Sequence, residues 1–168
     1  DELIKTLETG KPYKLRAAWL QTTNILACTS PDPERTLAAH NNYDFIVCVD
    51  LFMTPTAMAL ADIFLPATTF PERNGLRIGD GMQRGETINQ VIEPLGECKS
   101  DMEIDLEIGK RISPDVWPWD TVEDMYTSIL AETGYNFEEM QEVAPGFPPF
   151  EYNMHEKGTL REDGQPGF

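Results

Sequence analysis

The stretch FIVCVDLFMTPTAMALADIFLP, residues 45–66, decides the fold. Residues 45–49 are apolar throughout and rich in β-branched side chains, as in a strand covered on both faces. Asp50 ends that strand. A loop with Thr54, Pro55 and Thr56 follows, then a short apolar helix near 56–60 and a third strand over about 62–65, closed by Pro66. Working upstream, KLRAAWLQ (14–21) reads as another short buried strand, followed by the polar turn Thr22-Thr23-Asn24. Asp32 is placed to cap the next helix, Pro33 suits its first turn, and Glu34 sits at the positive end of the dipole. That helix is predicted to run to about Asn41, with Asn41-Asn42 as its stop. Strand, helix, strand, helix, strand at this spacing is the pattern of right-handed βαβ units. The expected fold class is therefore α/β, a three-layer αβα arrangement with a mainly parallel sheet of Rossmann-like βαβ units.

Downstream, PERNGLRIGDGMQRGE (71–86) reads as a Gly-rich, Arg-bearing loop and ETINQVI (86–92) as a further strand. ECKSDMEIDLEIGKRI (97–112) carries a conflict. Met102, Ile104, Leu106 and Ile108 alternate as a strand would, while Ser100-x-x-Glu103 is a capping box and the far end is Lys110-Arg111. The matched end signals favour a helix. Residues 120–133 read as an acidic amphipathic helix ending near Gly134. From Ala144 onward Pro, Gly and aromatics dominate, as in a segment laid over another surface. The expected organisation is an α/β domain over 1–143 and a Pro/Gly-rich extension over 144–168.

Charge narrows the function. The net charge is −16, which argues against a nucleic-acid partner, since that would demand a basic face. Residues 1–84 hold eight Lys/Arg against ten Asp/Glu, and residues 85–168 hold five against nineteen. A phosphate-bearing ligand is tolerated by the first half and repelled by the second; the plainer reading of the acidic half is a solvated surface. Cys28, Cys48 and Cys98 are far apart with no C-x-x-C, and His40 and His155 are distant in sequence. Iron–sulfur and structural zinc sites within this chain are not expected, and the reduced, disulfide-free state is the default. No stretch approaches the roughly 18 consecutive apolar residues of a membrane span, so no direct membrane insertion is expected.

In a parallel sheet with helices on both faces, ligands bind beyond the carboxyl ends of the strands. The candidates are thus Thr22, Thr23 and Asn24 after the first strand, and Asp50, Thr54 and Thr56 after the second. Small polar residues let backbone N–H groups approach a diphosphate, and hydroxyls add donors. A carboxylate at the end of the second strand accepts two donors at once, which suits a ribose or a guanine edge. Each has a plainer reading: Thr22–Asn24 as a turn satisfying its own backbone, Asp50 as the cap of the next helix. The absence of G-x-G-x-x-G and Walker A patterns disfavours ordinary NAD-type or P-loop binding. Arg73, Arg77 and Arg84 either meet an anionic ligand or lie on the surface of a loop, and Trp117 and Trp119 read as core or docking residues. No catalytic constellation stands out: no serine has G-x-S-x-G context.

The run AAWLQTTNILACTSPDPERTLAAHNNYDFIVCVDLFMTPTAMALADIFLPATTFPERNG (17–75) resembles the third domain of the large molybdopterin oxidoreductases, the dimethyl-sulfoxide-reductase superfamily. That family's pattern is a strand, a G-x-N-P turn, a helix and a strand ending in Asp, then D-x-F-x-T-x-T-A, A-D-x-x-L-P-A and E-x-x-G. Asn24, Asp50, Phe52, Thr54, Thr56, Ala57, Ala61, Asp62, Leu65, Pro66, Ala67, Glu72 and Gly75 match it. VIEPLGECKSDMEI resembles the family's EP-x-G-E segment and following helix. The lead-in and the end of the chain resemble the entry to and exit from this domain. The resemblance implies bis(molybdopterin guanine dinucleotide) carrying molybdenum or tungsten, with this domain gripping one guanine dinucleotide. By position, the Thr22–Asn24 turn would face the diphosphate and Asp50 and Thr54 the guanosine end, with Thr56 beside them.

There are departures. Thr22 stands at the usual turn glycine, Ile25 at the usual proline, and LRIGDGMQRGE replaces the frequent T-N-x-E. The details QTTN and GECKSD resemble the branch of hydratases, hydroxyl-transferring enzymes, dehydroxylases and chalcogen-oxyanion reductases. The family's cluster-bearing first domain, its metal-ligand segment and its last β-rich domain have no counterpart here. The resemblance therefore implies one domain of a larger enzyme subunit, inactive alone, whose partners are the remaining domains of that subunit and, in some members, an iron–sulfur electron-transfer subunit. Any export signal would lie upstream of residue 1, leaving bacterial or archaeal cytoplasm and periplasm both open. Two alternatives stand beside this: a cofactor-free scaffold domain of a related iron–sulfur subunit, and a freestanding α/β nucleotide-binding module.

Overall fold

The computed structural model describes residues 2–79 and 82–143, with backbone alone for residues 79 and 82–84. The 144–168 extension lies outside the described residues. The chain divides into two compact units, one of residues 1–73 and 90–118, the other of 74–89 and 119–168.

The first unit holds α1 (Glu2–Thr9), β1 (Ala17–Gln21), α2 (Pro33–His40), β2 (Phe45–Asp50), α3 (Pro55–Leu60), β3 (Ile63–Pro66) and α4 (Asp101–Ile112). The three strands form a parallel sheet in the order β1-β2-β3, with Ala17 opposite Phe45 and Val47 opposite Ile63. Strand alternation splits β2 between two cores. Ile46 and Cys48 pack with Ala57 and Leu60 of α3, and with Leu37 of α2. Val47 and Val49 pack on the other face with Ile104 and Ile108 of α4. Two buried faces explain the unbroken apolar run of β2, and the three-layer α/β expectation holds for this unit.

Local chemistry sets the boundaries. Asp32 accepts from the Arg35 N–H at 3.0 Å to start α2. Ser100 and Glu103 exchange both bonds of the capping box at α4, which settles the strand-or-helix conflict for helix. Residues 14–16 do not join β1 as expected, because Lys14 and Arg16 turn to Asp44 at 2.9 and 2.7 Å. Helix α1 carries no strong end signal before it, but buries Leu7. Its Glu8 takes the Arg35 guanidinium of α2 through two bonds of 2.8 and 2.9 Å.

The second unit holds β4 (Gly75–Gly79), β5 (Met82–Ile88), α5 (Val122–Leu130) and α6 (Phe137–Glu142). The expected Gly-rich loop is instead the antiparallel hairpin β4–β5. Its glycines obscured a short alternation of Leu76 and Ile78 with Arg77. Gly85 faces Met140 of α6, whose methyl would lie in ordinary van der Waals contact, 3.5 Å, with an added Cβ. The strand expected over 86–92 stops at Ile88, and the N–H groups of Val91 and Ile92 bond to the Pro71 carbonyl. Helices α5 and α6 start with capping boxes at Thr121 and Asn136. They bury Met125, Tyr126, Leu130, Phe137 and Met140, with the rings of Tyr126 and Phe137 centred 5.0 Å apart.

Candidate functional site

Parallel pairing brings the carboxyl ends of β1 and β2 side by side, with Gln21 opposite Val49. The Thr22 N–H extends that ladder by donating to the Val49 carbonyl at 3.0 Å. The backbone then turns sharply, with Thr22 at φ +53°, the one non-glycine with positive φ among the described residues. A β-branched residue pays a steric cost in this left-handed region. That explains why glycine suits the position, and such strain gathers where a turn has a task. Thr23 and Asn24 follow, half-buried, and Asn24 opens a single π-helical turn, Ile25–Thr29, whose signature bond runs from the Ser30 N–H to the Ile25 carbonyl at 2.9 Å.

The loop after β2 answers this turn. The Asp50 carboxylate accepts from the Leu51 N–H at 2.7 Å through one oxygen, leaving the other without a partner among the described residues. Thr54 caps α3 by accepting from the Ala57 N–H at 3.2 Å. Thr56 has no exposed surface. Its hydroxyl donates to Asn24 Oδ1 at 2.8 Å and accepts from the Leu26 N–H at 3.0 Å, so it joins the two loops from beneath. Five of the six candidates therefore have some accessible surface at one end of the sheet, while Thr56 lies under it. Leu51, Phe52 and Met53 stand exposed beside Asp50, Phe52 at 73 %.

Gln21 contributes without a sequence signal because its carboxylate partners lie 80 and 84 residues away. Gln21 accepts from the Trp19 indole at 2.6 Å and donates to Asp101 and Asp105 at 3.1 and 3.4 Å. Burial, reinforced by the neighbouring Asp101, raises the Asp105 carboxyl above its ordinary range against the opposing Gln21 bond. Glu72 accepts from the Thr69 N–H and hydroxyl, each at 2.7 Å, and from the Leu95 N–H at 3.0 Å. These bonds, the hydroxyl's first, hold its carboxyl below the usual range. Burial, then Asp50, raises the Cys48 thiol and keeps it protonated. His40 is buried with Nδ1 on the Thr36 carbonyl at 2.8 Å, a core role.

Two polar atoms are buried with no partner among the described residues: Thr68 Oγ1, just beyond β3, and Arg73 Nε. Arg77 lies on β4, in the second unit, and the Arg84 side chain is outside the description. Trp117 packs its ring against Gly109. A cleft of about 300 Å³ between Pro66 and α4 has its cations, Lys99 and Arg111, paired with Glu107, which makes it a poor rival site for an anion. Among the described residues no group of three or more His, Cys, Asp or Glu is placed to hold a metal, and no helix is long and apolar enough to cross a membrane.

Residues 1–111 match the family model for molybdopterin oxidoreductase. The chain is 33% identical over 141 residues to acetylene hydratase of Syntrophotalea acetylenica, a match covering 83% of this chain and 19% of that protein. It is also similar to the solved structure of acetylene hydratase from Pelobacter acetylenicus, with a TM-score of 0.78 and 28% identity over 98% of this chain and 23% of that one. The chain thus spans about a fifth of the length of these relatives.

Proposed function

The chain belongs to the molybdopterin oxidoreductase family, and we propose that it grips one guanine dinucleotide of a bis(molybdopterin guanine dinucleotide) cofactor within a larger enzyme. The observation that carries this is the strained Thr22 turn at the carboxyl end of β1, bonded to the loop after β2. A tight turn of small residues at that place suits a diphosphate approached by backbone N–H groups. The residues fit the group: Thr23 and Asn24 bring donors, and the open oxygen of Asp50 accepts from a guanine edge or ribose. The orphaned Thr68 hydroxyl and Arg73 N–H are further buried polar groups that call for a partner.

When bound, the pterin and its metal supply the reaction chemistry; this chain binds and orients. The similar protein is by name a hydratase, so family membership alone does not fix a redox reaction. The remaining domains of the parent subunit are the proposed partners. A scaffold role without cofactor draws on a specific observation. Thr54, Thr56 and Asp62 all make structural bonds, Asp62 accepting from the Ile46 N–H at 2.7 Å, so their presence does not require a ligand.

Titration of the 168-residue chain with GMP and GDP, followed by amide shifts, separates the readings. Saturable binding lost in Asp50→Ala supports the cofactor role. No binding at millimolar nucleotide by a folded chain favours the scaffold.

A further inference from the structure

We infer that Thr56 is a positioning residue that sets the nucleotide turn through Asn24, and does not itself touch ligand; this rests on the function proposed above. Thr56 lies on α3 with no exposed surface, so no ligand reaches its hydroxyl without displacing the loops. Both roles of that hydroxyl are taken by the β1 turn: it donates to Asn24 Oδ1 and accepts from the Leu26 N–H. The first bond fixes which end of the Asn24 amide points inward, because only the oxygen can accept. The Nδ2 group then lies on the opposite branch, without a partner among the described residues and not among the buried orphans. The second bond holds the Leu26 N–H, in the first part of the π-helical turn, whose opening residue Asn24 has an irregular backbone, φ −113° and ψ 71°. Ala57 and Leu60 pack α3 on Ile46 and Cys48 of β2, so the position of Asn24 is set from α3 by one buried hydroxyl.

A double-mutant cycle tests this. In the 168-residue chain, Thr56→Val keeps shape but removes both bonds, and Thr56→Ser keeps both. We expect Thr56→Val and Asn24→Ala each to weaken GDP binding about tenfold, the pair together to weaken it no further, and Thr56→Ser to bind as the unaltered chain does. Additive losses overturn the inference, since a merely structural threonine acts independently of Asn24. Amide exchange at Leu26 is the ligand-free readout. Faster exchange in Thr56→Val with recovery in Thr56→Ser supports the positioning role, and unchanged exchange overturns it. If the unaltered chain takes up no GDP, the proposed function falls, and the exchange result alone decides the positioning.

Discussion

Thr22→Gly should stabilise the protein. Thr22 is exposed and its side chain has no partner among the described residues, while its N–H bond to Val49 survives the change. What the substitution removes is a Cβ at φ +53°, which costs a non-glycine residue about 1–2 kcal/mol. Against this, the freer glycine backbone raises the entropy cost of folding, taking back about 0.5–1 kcal/mol. The balance is a gain of about 0.5–1 kcal/mol, or about 1–4 °C in Tm for a chain of this size. Thr22→Ala is the control, because it keeps the Cβ and so most of the strain. Melting followed by circular dichroism, with urea titration for the free energy, should rank glycine above both threonine and alanine. Equal stability of the glycine and alanine variants would refute the reasoning, since it would mean the turn is not left-handed in solution.

Other consequences are equally direct. Gly109→Ala places a methyl 2.3 Å from the Trp117 ring, so overpacking of about 1–3 kcal/mol should outweigh the gain of about 1 kcal/mol in helix propensity. In a Trp117→Ala background the sign should reverse, and urea midpoints read both. Thr54→Ala removes the α3 cap at about 1 kcal/mol, while Thr54→Ser should be near neutral by the same assay. Because burial raises the Asp105 carboxyl in the folded state, stability from this group is full below its unfolded value near about 4 and lost as pH rises through the folded value. Asp105→Asn should therefore raise Tm at pH 7, with the gain fading below about pH 4.

The sheet was legible because its signals are local. Phe45–Val49 is apolar on both alternations, Asp32-Pro33-Glu34 and Ser100-x-x-Glu103 are end signals a few residues long, and each appears as an element in the structure. The hairpin β4–β5 was not legible: the glycines at 75, 79 and 85 read as loop, and only pairing between the strands makes them sheet. Helix α6 carries a local signal in Asn136-x-x-Glu139, the capping box that starts it.

The same division runs through the candidate site. Sequence alone determined that small polar residues and an acid stand at the ends of two strands, because the run of residue types sets where strands stop. It placed Thr22, Thr23 and Asn24 in one turn and Asp50, Thr54 and Thr56 after the next strand, without their burial or bonding partners. Tertiary structure alone decided their ranks: Thr22 strained and exposed, Asp50 with one oxygen open, Thr54 a cap, Thr56 buried beneath Asn24. The physical reason is that a hydroxyl's role depends on which donors and acceptors surround it. For Thr56 and Asn24 those come from segments some 30 residues apart, brought together only when β1 and β2 pair.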